Sequence, residues 1–498
     1  MKKWVSLLMV IVIAIGLIAC GNDSDPTSGG ADQIATNAPV IRERILEVGY
    51  GKAKINPTEP VEMNGGWYTG TLGDIFAITV AFRDEDKNLH VHVVTDLSWG
   101  GMSDNGPKNS YGVCDMVRVA AEEQLGISPD YITVGGTHNH SQVAYGSQDP
   151  ANERWRQNVL IPQVLASIQQ AIDDLSPAEM YIARTETQNL SFVRRYWLTD
   201  GSLYEGFTGN RDSEIVKHES EADEEIQLVK FVREGKKDVL MINWQSHATS
   251  ATSTGTDVHA DYVGPLRERV EEELDVQCVY YQGACGNTAP SSRIPGEHAV
   301  EGNGWRGAQK TGWAIAAYVI DAFESDLFEQ VTTGLLQVKR ITVEGDVYKF
   351  DPALIESAKK VIEFHKTSPN NLVTANFAKD FGIETIYHAN AIINNSKLPD
   401  KKNYELNIIS IGDVAFTTLP MEFFDVTGMQ IKSGSPYEMT IMLGYSCGKG
   451  NYVPDIDGYK NGGYESYKTY FVPGTAEIAV SHYMDALNEL YQVRFVNE

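Results

Sequence analysis

Two histidines separated by one residue follow a short apolar run, where Tyr131-Ile132-Thr133-Val134 leads into Gly135-Gly136-Thr137-His138-Asn139-His140-Ser141. Imidazoles at that spacing can point the same way and share a metal, and the glycines before them favour close approach of backbone to a site. Other polar residues stand just past other apolar runs: His247 after residues 241–244, the stretch from Gln282 to Pro290 after residues 279–281, and Glu422 after residues 416–419. Catalytic zinc takes mostly imidazole and carboxylate ligands and keeps one position for water. His138, His247 and Glu422 provide such a set.

Other polar motifs read differently. His90-Val91-His92 has the same spacing inside an alternating run, and reads as the polar face of a strand whose Val91 and Val93 face the core. His259 and Asp261 read as caps of the helix that starts beside them. The metallo-β-lactamase pattern continues His-x-His-x-Asp-His, whereas Ser141-Gln142-Val143 follows here, and the amidohydrolase barrel has its His-x-His at the end of the first strand, far earlier than residue 138. No Gly-x-Ser-x-Gly elbow lies between a strand and a helix, and the P-loop and dinucleotide fingerprints are missing. Cys285 reads as a small buried residue.

The elements that must position these residues alternate along the chain. Helices are expected over residues 116–125, 152–175, 262–274, 352–365 and 476–491, from apolar spacings of three and four. Short β-branched runs over 89–95, 131–134, 239–244, 276–281, 406–411, 414–419 and 439–443 read as buried strands. Gly412-Asp413 suits a two-residue hairpin link. The fold class is therefore α/β: one large domain from residue 45 to 498, with mixed sheets flanked by helices.

With 498 residues and 42% hydrophobic content the chain has ample material for such a core. Its formal charge of −26, without any dense Lys/Arg stripe, excludes a nucleic-acid partner, and no protein partner is evident. Residues 1–3 are a basic start and 4–19 an apolar run of export-signal length, ending Leu17-Ile18-Ala19-Cys20. That ending resembles the lipobox of bacterial lipoproteins. Residues 1–19 are thus expected to be a signal peptide, Cys20 a lipidated residue, and 20–44 a polar tether, which would hold the protein on a membrane of the bacterial cell envelope, outside the cytoplasm. The remaining cysteines are Cys114, Cys278, Cys285 and Cys447; the spacing of Cys278 and Cys285 permits a disulfide without requiring one.

Four motifs in order resemble the neutral ceramidases: Gly136 to Ser141, Gln282-Gly283 through Pro290, Leu419-Pro420-Met421-Glu422, and Asn451-Tyr452-Val453-Pro454 with Gly462-Gly463-Tyr464-Glu465. The resemblance implies a zinc-dependent amidase of sphingolipid metabolism that cleaves ceramide, an amphiphilic N-acyl lipid, into sphingosine and fatty acid. It maps the zinc ligands onto His138, His247, Glu422 and Tyr452, the histidine beside the metal-bound water onto His140, and a substrate-facing arginine onto Arg194 or Arg195. Tyr464 and Ala289 fall at substrate-facing positions. Ala289 departs from the family, whose loop carries a serine there; Ser291 and Ser292 follow Pro290. Full ceramidases add an immunoglobulin-like domain, whereas this sequence runs about 33 residues past Glu465, in an expected helix. The implied activity is metal-assisted hydrolysis of an N-acyl amide, with a non-catalytic lipid- or glycan-binding lipoprotein as the alternative and an esterase or deacylase on another lipid as a third reading.

Overall fold

The computed structural model describes residues 44–496 apart from 103–111, 206–210, 252–255, 298–299, 301–303, 368–381, 384 and 449–450. The expected signal peptide, Cys20 and tether lie outside the described residues.

Eight strands build the larger sheet: β1 Leu46–Lys54, β2 Phe76–Arg83, β3 Leu89–Thr95, β4 Ile132–Gly136, β5 Ser176–Glu186, β6 Glu225–Arg233, β7 Val239–Trp244 and β8 Gln277–Gln282. Their spatial order is β8-β7-β6-β5-β1-β2-β3-β4, with a short strand, Glu329–Val331, added on β5. The interior pairs are antiparallel, while the two outermost pairs, β3 with β4 and β7 with β8, are parallel. A second sheet contains β9 Leu336–Asp346, β10 Lys401–Ile411, β11 Val414–Leu419 and β12 Met439–Gly444 in that order. Here β11 and β12 are the parallel pair. The sheets are mixed, as the sequence leads one to expect. Gly412, with φ of 53°, turns the β10–β11 hairpin, in which Ile411 pairs with Val414.

Apolar side chains on alternate strand positions separate the protein into four layers. Val80, Phe82, Val94, Val229, Phe231 and Met241 of the large sheet pack against Ile409, Ile411, Phe416 and Ile441 of the second. The other face of the large sheet is covered by helices α1 Val113–Leu125, α2 Ile161–Asp173, α3 Val263–Leu274 and α4 Gly304–Glu324, and the outer face of the second sheet by α5 Thr475–Val496. Gly49 and Gly51 let α2 lie directly on β1, since a Cβ at either would stand about 2 Å from a helix carbonyl: 1.9 Å from Ala171 O and 2.0 Å from Ser167 O. No described helix is long and apolar enough to cross a membrane.

Two local expectations change. The helix expected over 152–175 is a short helix Pro150–Trp155, a π-type turn Arg156–Leu160, and then α2. Pro162 explains the break, because it has no N–H to give to the preceding turn. His90 and His92 do not face water: both are buried, since the second sheet covers the face of β3 opposite Val91 and Val93. The His92 ring lies edge-on to Phe82, Phe416 and Tyr281, and neither of its nitrogens has a hydrogen-bond partner.

Burial pulls the His92 imidazole down to about 3, whereas in the unfolded chain it titrates near 6.5. Below about pH 6.5 the unfolded state binds the extra proton, so stability falls as pH falls, by up to about 1.4 kcal/mol per pH unit from this group until pH nears its folded value. His92→Leu is expected to flatten the fall of the urea midpoint between about pH 6.5 and 4. Identical slopes in the two proteins would contradict a neutral buried imidazole.

Candidate metal centre

The polar residues singled out above gather where parallel strands end. His138 lies two residues past β4, His247 three past β7 and Glu422 three past β11; Tyr445, which the sequence does not single out, joins them one residue past β12. Strands β4, β8 and β12 touch one another, so three edges of two sheets deliver their C-terminal ends to one place. Gly136 makes the approach possible: a Cβ there would stand 2.5 Å from Leu97 O and 2.7 Å from Trp99 N. His138 itself adopts a left-handed φ of 59°, its N–H donating to Leu97 O.

The ring hydrogen bonds fix which atoms face inward. His138 Nδ1 lies 3.1 Å from Ser98 O and His247 Nδ1 lies 2.5 Å from Cys285 O. A carbonyl only accepts, so both Nδ1 atoms carry the proton. Desolvation above all lowers the pKa of both imidazoles well below the usual value, against the opposing charge of Glu422 at His138 and with the help of Arg194 at His247, which keeps them neutral. Each Nε2 is then a lone pair. These lone pairs converge on Glu422 Oε2, at 3.5 Å from His138 Nε2 and 3.2 Å from His247 Nε2, and that buried oxygen has no hydrogen-bond donor. Three acceptors facing one another inside a protein repel unless a cation stands among them.

His140 Nε2 is 3.2 Å from His138 Nε2, and the ligand atoms of His138, His140 and His247 all lie within 4.8 Å of one another, a group that can hold a metal ion. Burial lowers His140 to about 4, so it too is neutral near pH 7. Tyr452 Oη is 3.5 Å from His247 Nε2, held beside Glu422 by a parallel bridge of Glu422–Phe423 with Tyr452–Val453. Burial first, and then Glu422, push this phenol well above its ordinary value, with Arg194 opposing. All of His138, His140, His247, Glu422 and Tyr452 are thus brought together.

The arginine pair separates. Arg194 Nη2 donates to Tyr452 Oη at 2.9 Å and to Gly286 O at 3.1 Å, facing the centre. Arg195 turns away: its five N–H groups go to Glu219, twice, to Glu465, and to the carbonyls of Gly458 and Gly462. Arg195 therefore braces the wall, and of the two only Arg194 can serve the centre. Glu465, fully buried, bridges both guanidinium groups, which outweigh the opposing effect of burial and hold its carboxyl below the usual range.

Ala289 belongs to a two-residue strand paired with Phe192–Val193, and Gly286, three residues earlier, lies on the Glu422 backbone with its N–H donating to Phe423 O. Neither nearby serine supplies the missing hydroxyl, since Ser291 is exposed and Ser292 Oγ is bonded to Glu297 and His218. The Tyr464 ring meets that of Tyr452 at 5.5 Å, and its oxygen accepts from Lys468 Nζ at 2.6 Å. Asp261 does not cap α3, whose N-cap is Tyr262 with no side-chain capping bond; it accepts instead from the N–H groups of Ser250, Ala251 and Tyr262 and so braces the loop before the helix. Cys278 and Cys285 are not joined: Cys278 is packed among apolar side chains and Cys285 Sγ lies 3.0 Å from Tyr445 Oη. Tyr445, stacked on His138 with centroids 3.7 Å apart, and Lys468 escaped the sequence reading; nothing in their local sequence marks them.

No protein-family model matches the chain, and no curated protein sequence matches it. Solved structures do. A structure described as a ceramidase complexed with C2 superposes with a TM-score of 0.66 at 15% identity, over 90% of this chain and 76% of that one. The crystal structure of the neutral ceramidase from Pseudomonas aeruginosa gives 0.65 at 15% identity, over 91% and 75%. The chain has the neutral ceramidase fold. That likeness agrees with the α/β reading of the sequence.

Because Arg195 is buried with all its donors engaged, Arg195→Met is expected to cost about 3 to 5 kcal/mol in urea unfolding, the usual penalty for breaking a buried ion pair by removing one member. A loss below about 1 kcal/mol, the range of exposed pairs, would show that the network is solvated.

Proposed function

We propose that the protein is a zinc-dependent amidohydrolase that cleaves the N-acyl bond of ceramide or a related N-acyl lipid. The observation that carries this reading is the convergence of His138 Nε2, His247 Nε2 and Glu422 Oε2 as acceptors at the strand ends of a neutral ceramidase fold. Their separations of 3.2 and 3.5 Å fall near the roughly 3.3 to 3.6 Å spacing of ligand atoms around a tetrahedral ion with bonds of about 2.0 to 2.2 Å. Two imidazoles, a carboxylate and the Tyr452 oxygen suit zinc better than calcium or magnesium, which prefer all-oxygen shells. Bound there, zinc would lower the pKa of a water toward about 7 and polarise the scissile carbonyl.

The chain's own residues supply the proton handling. Neutral His140, beside His138, is in the form that accepts a proton from the attacking water and can hand it to the departing amine. Arg194 holds positive charge against Tyr452 and the Gly286 loop, where it can offset an oxyanion developing on the substrate carbonyl. Glu465 fixes the angle of that guanidinium. Ala289 favours a second reading, a lipoprotein that binds a lipid or glycan without turnover, because alanine cannot donate the hydrogen bond of the family serine.

A rate decides between the two. Fatty acid released from a panel of ceramides and simpler N-acyl amines, lost by about a thousandfold or more in His138→Ala together with the bound zinc, is the expected result. Saturable lipid binding without release would establish the receptor instead, and a protein that binds neither zinc nor lipid and does not turn over would overturn both.

The site is proposed to work at the bacterial cell surface, with residues 1–19 as signal peptide and Cys20 carrying the lipid that keeps the tethered domain beside amphiphilic substrates. Cys20→Ser is expected to move the protein from the membrane to the soluble extracytoplasmic fraction and to abolish labelling by a fatty-acid precursor. Unchanged membrane retention would point to an uncleaved anchor helix.

A further inference from the structure

Beneath the metal centre two thiols meet that the chemistry above does not use. Cys114 Sγ, in the first turn of α1, lies 3.6 Å from Cys447 Sγ, just past β12, across 333 positions of sequence. Both side chains are fully buried. Their backbones are pinned from several sides: Cys114 N donates to Gly101 O at 2.8 Å, Cys447 N to Val134 O at 2.9 Å, and Gly100 N to Tyr445 O at 2.8 Å. Cys447 is held at a left-handed φ of 51°. The sulfurs therefore face each other because three separate segments fix them there.

The surroundings also distinguish the two thiols. Arg118 Nη2 stands 3.5 Å from Cys447 Sγ and the N–H of Val134 donates to the same sulfur at 3.4 Å, although Glu405 shares that guanidinium. Burial disfavours the Cys447 thiolate, but the Cys114 thiol, Arg118 and the Val134 N–H outweigh it and bring Cys447 down to about 7, while burial pushes Cys114 well up. Of the two sulfurs, Cys447 is the one that a guanidinium and a backbone N–H face.

We propose that Cys114 and Cys447 form a disulfide that locks α1 to the segment carrying Tyr445, the ring on which His138 rests. It forms as the chain folds, before the sulfurs are covered. One of the two thiolates attacks one sulfur of a small disulfide, RSSR, forming a mixed disulfide and releasing RS⁻; the sulfur of the other cysteine then attacks the protein sulfur of that mixed disulfide, releasing the second RS⁻. The two thiol protons pass to the leaving thiolates, so two cysteines are oxidised and one RSSR is reduced to two RSH. An exported protein, as proposed above, folds where such a bond persists, but the geometry stands apart from the metal chemistry.

The test is refolding of the reduced, full-length chain in a mixture of oxidised and reduced glutathione, followed by alkylation and non-reducing peptide mapping. The expected product is a Cys114 peptide joined to a Cys447 peptide, with a urea midpoint raised by roughly 0.5 to 1 M. Dithiothreitol should erase that increment, Cys114→Ala should lack it and Cys278→Ala should keep it. Recovery of folded protein in which Cys114 and Cys447 are both alkylated, or a map joining Cys447 to Cys278 or Cys285, would overturn the proposal. Should Cys114→Ala fail to fold, the map of the unaltered chain decides alone.

Discussion

The mutual repulsion of three lone pairs is the constraint around which the centre is organised. Ser98 and Cys285 carbonyls tie the Nδ1 atoms of His138 and His247, and burial keeps both rings neutral, so their Nε2 atoms have nothing to offer Glu422 but electron density. A protein that holds acceptors 3.2 and 3.5 Å apart in its interior stores unfavourable electrostatics that only a positive species relieves. Everything nearby serves to prevent escape from that arrangement. Tyr445 stacks on one ring, Tyr452 lies parallel to the other, and Arg194 is anchored through a carboxylate with no access to water.

Architecture explains how four distant stretches meet. Antiparallel strands bring their loops to both edges of a sheet, whereas a parallel pair presents two C-terminal ends side by side. Each sheet here is mostly antiparallel and becomes parallel only where the centre lies, at β3 with β4, β7 with β8 and β11 with β12. The second sheet, laid over the first, then adds Glu422 and Tyr445 to the histidines. The same overlay buries His90 and His92, placing uncharged imidazoles in an apolar seam.

Much of this was legible in the residues, for identifiable reasons. Buried strands announce themselves by unbroken β-branched runs, and polar residues immediately after them mark strand ends, which is why His138, His247 and Glu422 could be grouped before their distances were known. What stayed hidden depends on packing between remote segments. The two His-x-His pairs are alike in spacing, and only the second sheet decides that one is core and the other centre. Arg194 and Arg195 are neighbours whose opposite directions are set by Glu219, Gly458 and Gly462, far along the chain. Tyr445 looks like any of 24 tyrosines until its ring is found against His138.

Contributions to the centre are strung from His138 to Tyr452, so no shorter piece of polypeptide contains it. A ribosome must release nearly the whole sequence, and both sheets must close, before any cation finds its full set of partners. The activity proposed above would accordingly belong only to a finished, correctly assembled molecule.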